Sequence, residues 1–172
     1  MKSFLCGFVT ATLILPLTVA VFFRLGVADV DSDSAPPAWE RGLLTIAVRE
    51  SISKRAAYLP VSPATNDAAL IKGGKLYMNG CAGCHGELSK PSREDHANYP
   101  RVPQFPDKGT QYSAPQVYWV VKHGIRMTAM SAYGRFYSEE DLWSIAAFVY
   151  QIRNLPPSVK TKILSKTAIA AP

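Results

Sequence analysis

The N-terminal region carries the longest uncharged run in the chain. Residues 4–23 contain no charged side chain, and Lys2 and Arg24 flank them. A helix of that length spans roughly 30 Å, about the thickness of the hydrocarbon core of a bilayer. The pattern predicts a transmembrane helix within residues 1–28, with a cytoplasmic N-terminus because Lys2 precedes the run. The alternative is a cleaved signal sequence, because Gly26 to Ala28 offers the small residues that a signal peptidase requires.

Residues 29–64 connect this run to the next patterned region. Residues 31–37 are acidic and contain proline, which is typical of a linker. Residues 39–53 then show apolar positions at helical spacing and predict an amphipathic helix. Its apolar face is formed by Trp39, Leu43, Ile46 and Ala47. The pattern leaves open whether this helix lies on a membrane surface or packs on the domain that follows.

The periodicity of residues 65–157 predicts an all-α domain. Its first helix begins near Thr65 or Asn66, which suits an N-cap, and continues to a cysteine-containing motif at position 81. Gly73 and Gly74 interrupt this helix, each at a cost of about 1 kcal/mol relative to alanine. Glycine is useful in such a place where another helix approaches closely. The pair therefore favours a helix crossing at this point, and the alternative is a weak or late-starting helix.

Two capping-box patterns predict the later helices. Ser113 and Gln116 open one helix, which ends at Gly124, while Ser138 and Asp141 open the last. Apolar residues at helical spacing follow each box, namely Val117, Val120 and Val121 in the first helix and Leu142, Ile145, Ala146, Val149 and Ile152 in the second.

Two segments lack such patterns. Residues 86–110 are rich in proline, glycine, serine and charge, and they predict a long loop. Residues 158–172 show no clear packing signal and predict a mobile C-terminal tail. Because no internal repeat occurs, we expect one domain in addition to the N-terminal helix.

The charge of the chain is mildly basic. Its 172 residues carry a formal net charge of +6, without a dense run of lysine and arginine. We therefore expect no nucleic-acid partner. A partner with an acidic docking patch, anionic lipid headgroups and a plain solvated surface all fit this balance.

The strongest chemical signal is the string Cys81-Ala-Gly-Cys84-His85. It has the C-x-x-C-H form that attaches a c-type haem. The two thiols add to the haem vinyl groups, and the adjacent imidazole reaches the iron from the proximal side. The motif predicts one covalently bound haem c, with its iron held by His85.

The motif has two other interpretations. A C-x-x-C pair also serves dithiol redox chemistry, but that chemistry does not need the following histidine. A closed structural zinc site needs four ligands, and the remaining cysteine, Cys6, lies far away in the apolar run. We interpret Cys6 as an inert apolar residue.

The second axial ligand decides whether such an iron transfers electrons or binds small ligands. The residues that offer a ligand atom are Met127, Met130, His123 and His96. Met130 is flanked by small residues, which allow a close approach to a ring, whereas Met127 lies nearer the end of the preceding helix. From the residues alone, all four candidates stay open.

The stretch from Lys122 to Gly134, followed by Ser-Glu-Glu-Asp-Leu-Trp, resembles the distal segment of class I monohaem c-type cytochromes. The resemblance extends from about residue 66 to residue 156 and implies the cytochrome c fold. It also implies that Met130 is the axial ligand and that Met127 is not. The chain departs from the family pattern at Ala129 and Ser131, where the family has glycine and proline.

The resemblance implies two further contacts. In the family, a proline carbonyl accepts a hydrogen bond from the proximal histidine. Here Pro103 is preferred to Pro100 for that role, which would orient the imidazole and tune the iron. The family also packs its first and last helices across each other. The matching residues are Gly73, Gly74 and Tyr77 on one side and Trp143 and Phe148 on the other.

These expectations describe an electron carrier rather than an enzyme. We expect one-electron transfer between redox proteins (a dehydrogenase, a respiratory complex or an oxidase), with no small-molecule substrate. The expected location is the bacterial inner membrane with the haem domain in the periplasm, or the soluble periplasm after signal cleavage. One alternative is a haem subunit of a membrane-bound dehydrogenase or oxidase. Another is a haem enzyme or gas sensor in which Met130 leaves the iron.

Overall fold

The computed structural model describes residues 2–31, 34–60, 65–90 and 99–167. These residues contain eight α-helices and no β-strand, so the predicted all-α class is confirmed. The helices are α1 (Lys2–Arg24), α2 (Ala38–Ala56), α3 (Asp67–Gly80), α4 (Ala82–His85), α5 (Phe105–Lys108), α6 (Ala114–His123), α7 (Glu139–Gln151) and α8 (Pro157–Thr167). The chain divides into two compact units, Met1–Asp31 and Ser32–Pro172.

Helix α1 makes up most of the first unit. Its segment Gly7–Arg24 has a mean hydropathy of 1.8 and is exposed along its length. Within the described part of the chain, it is the helix long and apolar enough to cross a membrane. A membrane anchor and a signal sequence both have this property. Cys6 lies in α1, and its side chain is outside those that the structure describes.

Helices α3 and α7 cross at very close range in the core of the second unit. A Cβ atom built on Gly73 would lie 1.9 Å from the backbone carbonyl oxygen of Ser144. One turn further along the same side of α3, the ring of Tyr77 packs against that of Phe148 from α7, with ring centroids 5.2 Å apart. The crossing predicted from the glycine pair is therefore present, and Gly73 is the residue that permits it.

The predicted capping residues set the ends of these helices. The Asn66 side chain accepts a hydrogen bond from the backbone N–H of Ala69 at 2.9 Å at the start of α3. At the start of α7, the hydroxyl of Ser138 accepts from the N–H of Asp141 at 3.1 Å. The side chain of Gln116 accepts from the N–H of Ser113 at 2.8 Å and closes the box of α6. Each contact satisfies a helix N–H that has no partner within the helix.

Helix α2 packs its C-terminal half on α6. Ile52 and Ala56 are buried, and the side-chain amide of Gln116 donates to the hydroxyl of Ser53 at 3.0 Å. Arg49 donates to the side-chain oxygen of Gln111 at 2.7 Å. A helix is present where the pattern predicts one, and its C-terminal half contacts the helical domain. The predicted apolar face, formed by Trp39, Leu43, Ile46 and Ala47, is exposed.

Two expectations about irregular segments are wrong. Residues 157–167 form α8 instead of a mobile tail, and its Val159 and Ile163 are buried. Ile163 lies against Gly74, where a Cβ atom would come within 2.3 Å of Ile163 Cδ1. The long loop after the motif contains the short helix α5. Residues 91–98 of that loop, residues 168–172 of the tail, and residues 32–33 and 61–64 of the linker lie outside the described residues.

Candidate functional site

The C-x-x-C-H motif begins at Cys81, directly after α3, and continues through α4. The N–H of Cys81 donates to the carbonyl oxygen of Tyr77 at 2.8 Å, which continues the ladder of α3 into the motif. The N–H groups of Cys84 and His85 then donate to the carbonyl oxygen of Cys81, at 3.2 and 2.9 Å. Residues three apart in such a turn lie on the same side of it. This local geometry lets both thiols serve one cofactor edge.

A mainly apolar cavity of about 390 Å³ lies beside the motif. Its volume is in the range of small-molecule and cofactor sites. The lining residues are Tyr77, Cys81, His85, Pro103, Phe105, Lys108, Gly109, Thr110, Gln111, Tyr112, Val117, Val120, Val121, Ile125, Met130, Ile145 and Val149. Four of the five site residues predicted from the sequence are therefore together around one cavity. The fifth, Cys84, is exposed and does not line it.

His85 is held on two sides. Its Nδ1 lies 2.9 Å from the carbonyl oxygen of Pro103, which is the contact expected for that proline rather than for Pro100. Because a carbonyl can only accept, Nδ1–H donates and Nε2 keeps its lone pair. The ring also stacks on Phe105, with centroids 4.6 Å apart. Burial lowers the pKa of His85, although the Pro103 hydrogen bond opposes this effect, so the imidazole is neutral at neutral pH.

The Cys81 thiol is not a low-pKa redox thiol. Burial, followed by the neighbouring Cys84, raises its pKa to about 11. Thiols that exchange disulfides have lowered pKa values, because the thiolate is the reactive form. The environment of Cys81 therefore disfavours the dithiol interpretation of the motif.

Two buried polar side chains brace the backbone around His85. The side-chain amide of Gln104 donates to the carbonyl oxygen of Cys84 at 3.0 Å and lies 3.3 Å from that of Val102. The Tyr77 hydroxyl donates to the carbonyl oxygen of Gly86 at 2.7 Å. The family resemblance placed Tyr77 at the helix crossing, but no sequence pattern indicated Gln104.

Met130 differs from Met127 in its surroundings. Met130 is half-buried and lines the cavity, whereas Met127 is 92% exposed and has a φ of 60°. His123 is exposed, with its ring 5.0 Å from Trp119, and it does not line the cavity. His96 lies outside the described residues. Among the described candidates, Met130 is the one that shares the cavity with His85.

The loop that carries Met130 is fastened by backbone hydrogen bonds. The N–H of Ile125 donates to the carbonyl oxygen of Met130 at 3.0 Å, and the N–H of Tyr133 donates to that of Val121 at 3.0 Å. Gly124 has a φ of +68°, and a Cβ atom there would lie 2.7 Å from the Met130 carbonyl oxygen. These contacts constrain the loop at a position where Ser131 replaces the family proline.

Tyr118 and Trp119, two adjacent aromatic residues of α6, do not line the cavity. Tyr118 is buried and stacks on Trp143, with ring centroids 4.2 Å apart. Trp119 is half-buried and lies under the guanidinium group of Arg55. Both therefore pack between helices.

The helical fold and an apolar cavity that joins a C-x-x-C-H motif to a methionine define a c-type cytochrome domain. Residues 68–149 match the protein-family model described as cytochrome c oxidase, cbb3-type, subunit III. The chain therefore contains a domain of the c-type cytochrome family, and the resemblance inferred from its sequence is confirmed. Such a domain binds haem c covalently and serves haem-based electron transfer. No curated protein and no solved structure gave a significant match to the chain.

Proposed function

We propose that the chain is a membrane-anchored electron carrier with a single haem c. Cys81 and Cys84 would hold the haem through thioether bonds, with His85 and Met130 as the axial ligands. One observation carries the proposal: His85 and Met130 line the same cavity as Cys81, whereas Met127 and His123 do not. A thioether ligand favours the ferrous state and raises the reduction potential.

The surrounding residues suit this cofactor. The Pro103 carbonyl keeps the His85 Nε2 lone pair available, and burial keeps the imidazole uncharged. Apolar side chains from α6 and α7, including Val121 and Ile145, line the cavity and make it unfavourable for water. When bound, the haem supplies an iron that alternates between the ferric and ferrous states. If His85 and Met130 both bound the iron, a substrate would have no place to bind it, so the proposed function is electron transfer rather than catalysis.

The proposed partners are redox proteins that dock briefly. The exposed position of Cys84 favours electron entry and exit at the cofactor edge next to this residue. Weak, transient docking is typical of electron-transfer pairs. We place the domain on the periplasmic face of a bacterial inner membrane, tethered by α1, because basic Lys2 precedes the apolar run.

A second candidate function is that of a haem subunit in a membrane-bound oxidase or dehydrogenase. The family model that matches residues 68–149 is named after an oxidase subunit, which favours this alternative. Co-purification separates the two functions. A stable complex with a larger subunit after mild detergent extraction supports the subunit, and a monomeric holoprotein supports the mobile carrier.

An absorption spectrum of the oxidised holoprotein tests the ligand set. Sulfur ligation of ferric haem gives a weak charge-transfer band at the red end of the visible spectrum. We expect this band in the wild type and in Met127→Ala, and we expect its loss in Met130→Ala. Survival of the band in Met130→Ala, or its loss in Met127→Ala, contradicts the assignment. Carbon monoxide binding by the wild-type ferrous protein would contradict the closed site.

A further inference from the structure

Helix α2 has an apolar surface that the domain does not cover. Trp39, Leu43 and Ile46 are 67%, 62% and 62% exposed, and we call these three residues the outer face of α2. Their spacing of four and three positions places them on one side of the helix. Large exposed apolar groups that cluster in this way mark an interaction site.

The outer face lies in the N-terminal half of α2, whereas the residues that contact α6 lie in its C-terminal half. At 3.6 residues per turn, Ile52 and Ala56 lie about 140° and 100° around the helix from Trp39. Those two residues are buried, and Ser53 and Arg49 add hydrogen bonds to α6 and to the segment before it. The C-terminal half of α2 is thus fixed, and the outer face, in the other half of the helix, is left uncovered.

The position of α2 in the chain indicates what covers the outer face. Residues 25–37 separate α1 from α2, and they reach roughly 45 Å when fully extended. A chain that leaves a bilayer at Arg24 therefore begins α2 within reach of the headgroups. Tryptophan is enriched in that interfacial region, because the apolar part of its indole faces the acyl chains while its N–H reaches the polar headgroups and water.

The charge of α2 favours a lipid surface of negative charge. The helix contains four basic and two acidic residues, namely Arg41, Arg49, Lys54 and Arg55 against Glu40 and Glu50. Basic side chains on an amphipathic helix are attracted to anionic headgroups while its apolar face enters the boundary with the acyl chains. We propose that the outer face of α2 inserts into the headgroup layer of an anionic bilayer. This inference rests on the proposed role of α1 as a retained anchor.

Brominated lipids test the contact. Full-length holoprotein is placed in nanodiscs of phosphatidylcholine and phosphatidylglycerol, at no more than one copy per disc, with plain or brominated acyl chains. The emission of Trp39 is obtained as the difference between the wild type and Trp39→Phe. We expect brominated chains to lower this difference roughly twofold, because an interfacial indole meets the acyl boundary.

Two controls make the result specific. The emission of Trp119 is obtained as the difference between the wild type and Trp119→Phe. It should not respond to bromine, because Trp119 is half-buried beside Arg55. Leu43→Glu places a charge in the outer face and should abolish the quenching of Trp39 without changing the haem spectrum. Equal quenching in discs of phosphatidylcholine alone would overturn the anionic preference.

The outcomes separate this inference from the proposed function. Protein that stays with the discs and shows a c-type haem spectrum, but no quenching of Trp39, overturns the lipid contact alone. Protein that does not stay with the discs overturns the anchor and the lipid contact together, while its haem spectrum still reports on the cofactor.

Discussion

At the scale of single residues, Gln104 is a buried polar side chain that links its own loop to the candidate haem motif. Its amide donates to the carbonyl oxygen of Cys84, and the neighbouring Pro103 accepts the hydrogen bond of His85. Two adjacent residues of one loop thus hold the motif at two points. Because Gln104 is buried, water cannot replace its hydrogen bonds when the side chain is removed.

We expect Gln104→Leu to lower the free energy of unfolding of the holoprotein by about 1–3 kcal/mol, because it removes the hydrogen bonds that the buried amide donates to the carbonyl groups of Cys84 and Val102. Urea unfolding followed by circular dichroism measures the change. The half-buried Gln151 at the end of α7 provides the matched control, and Gln151→Leu should change the stability by less than about 0.5 kcal/mol. Equal effects of the two substitutions would show that the hydrogen bonds of Gln104 do not contribute to the free energy of unfolding.

Site residues that act together with close neighbours in the sequence were predictable, whereas those that depend on contacts made only in the folded chain were not. Cys81, Cys84 and His85 are close in sequence, so their chemistry was visible in a string of five letters. Met130 was distinguished from Met127 through a family resemblance, since the cavity that only the former lines is formed by several helices. Gln104 was missed because its partners are fixed by the folded loop.

At the scale of the helices, the crossing of α3 and α7 depends on one backbone contact. Gly73 faces the Ser144 carbonyl group, which cannot move without moving α7. Gly74 faces the end of the flexible Ile163 side chain, which has more freedom to adjust. The two adjacent glycines therefore differ in their tolerance of a methyl group.

We expect Gly73→Ala to destabilise the protein by about 3 kcal/mol or more, because it forces two packed helices apart. Gly74→Ala should cost less. Gly42→Ala in the exposed part of α2 is the control: a Cβ atom there meets nothing within 4 Å, and alanine should instead stabilise the helix by up to about 1 kcal/mol. Thermal unfolding of the three variants checks this order, and a mild effect of Gly73→Ala would refute it.

Helix α8 extends the core beyond the segment that the family model matches. We expect Ile163→Ala to cost about 2–5 kcal/mol, because it leaves a cavity against α3. Leu164 is the adjacent control: it is 37% exposed, and Leu164→Ala should cost clearly less. Denaturant unfolding of both variants measures the difference, and similar losses would mean that α8 does not pack specifically.

The ends of helices were more predictable than their packing. Asn66, Ser113 and Ser138 act through hydrogen bonds to residues three positions away, so a capping pattern in the sequence was sufficient. Helix α8 buries Val159 and Ile163 within a mostly polar segment. Two apolar residues four positions apart do not distinguish a packed helix from a solvent-exposed tail. The division of α2 into a packed half and an exposed half depends on α6, which the pattern of α2 does not contain.

At the scale of the whole molecule, residues 1–28 have two alternative fates, which are retention as a membrane anchor and cleavage as a signal sequence. We expect a retained anchor, so the intact mass of the mature holoprotein should include α1, and the protein should remain in membranes after an alkaline wash. Mass spectrometry and fractionation measure both properties. A soluble mature protein that begins at Asp29 would show that residues 1–28 are a cleaved signal.

The pairing of α3 with α7 also sets an order of events during synthesis. Cys81 to His85 leaves the ribosome well before α7 is made, yet Ile145 and Val149 of α7 form part of the cavity wall. Closing such a long chain segment is entropically costly, and the packing of α3 on α7 compensates this cost only once α7 is present. We therefore expect the machinery that joins haem to the thiols to meet an open chain, and the finished fold to close around a cofactor already attached.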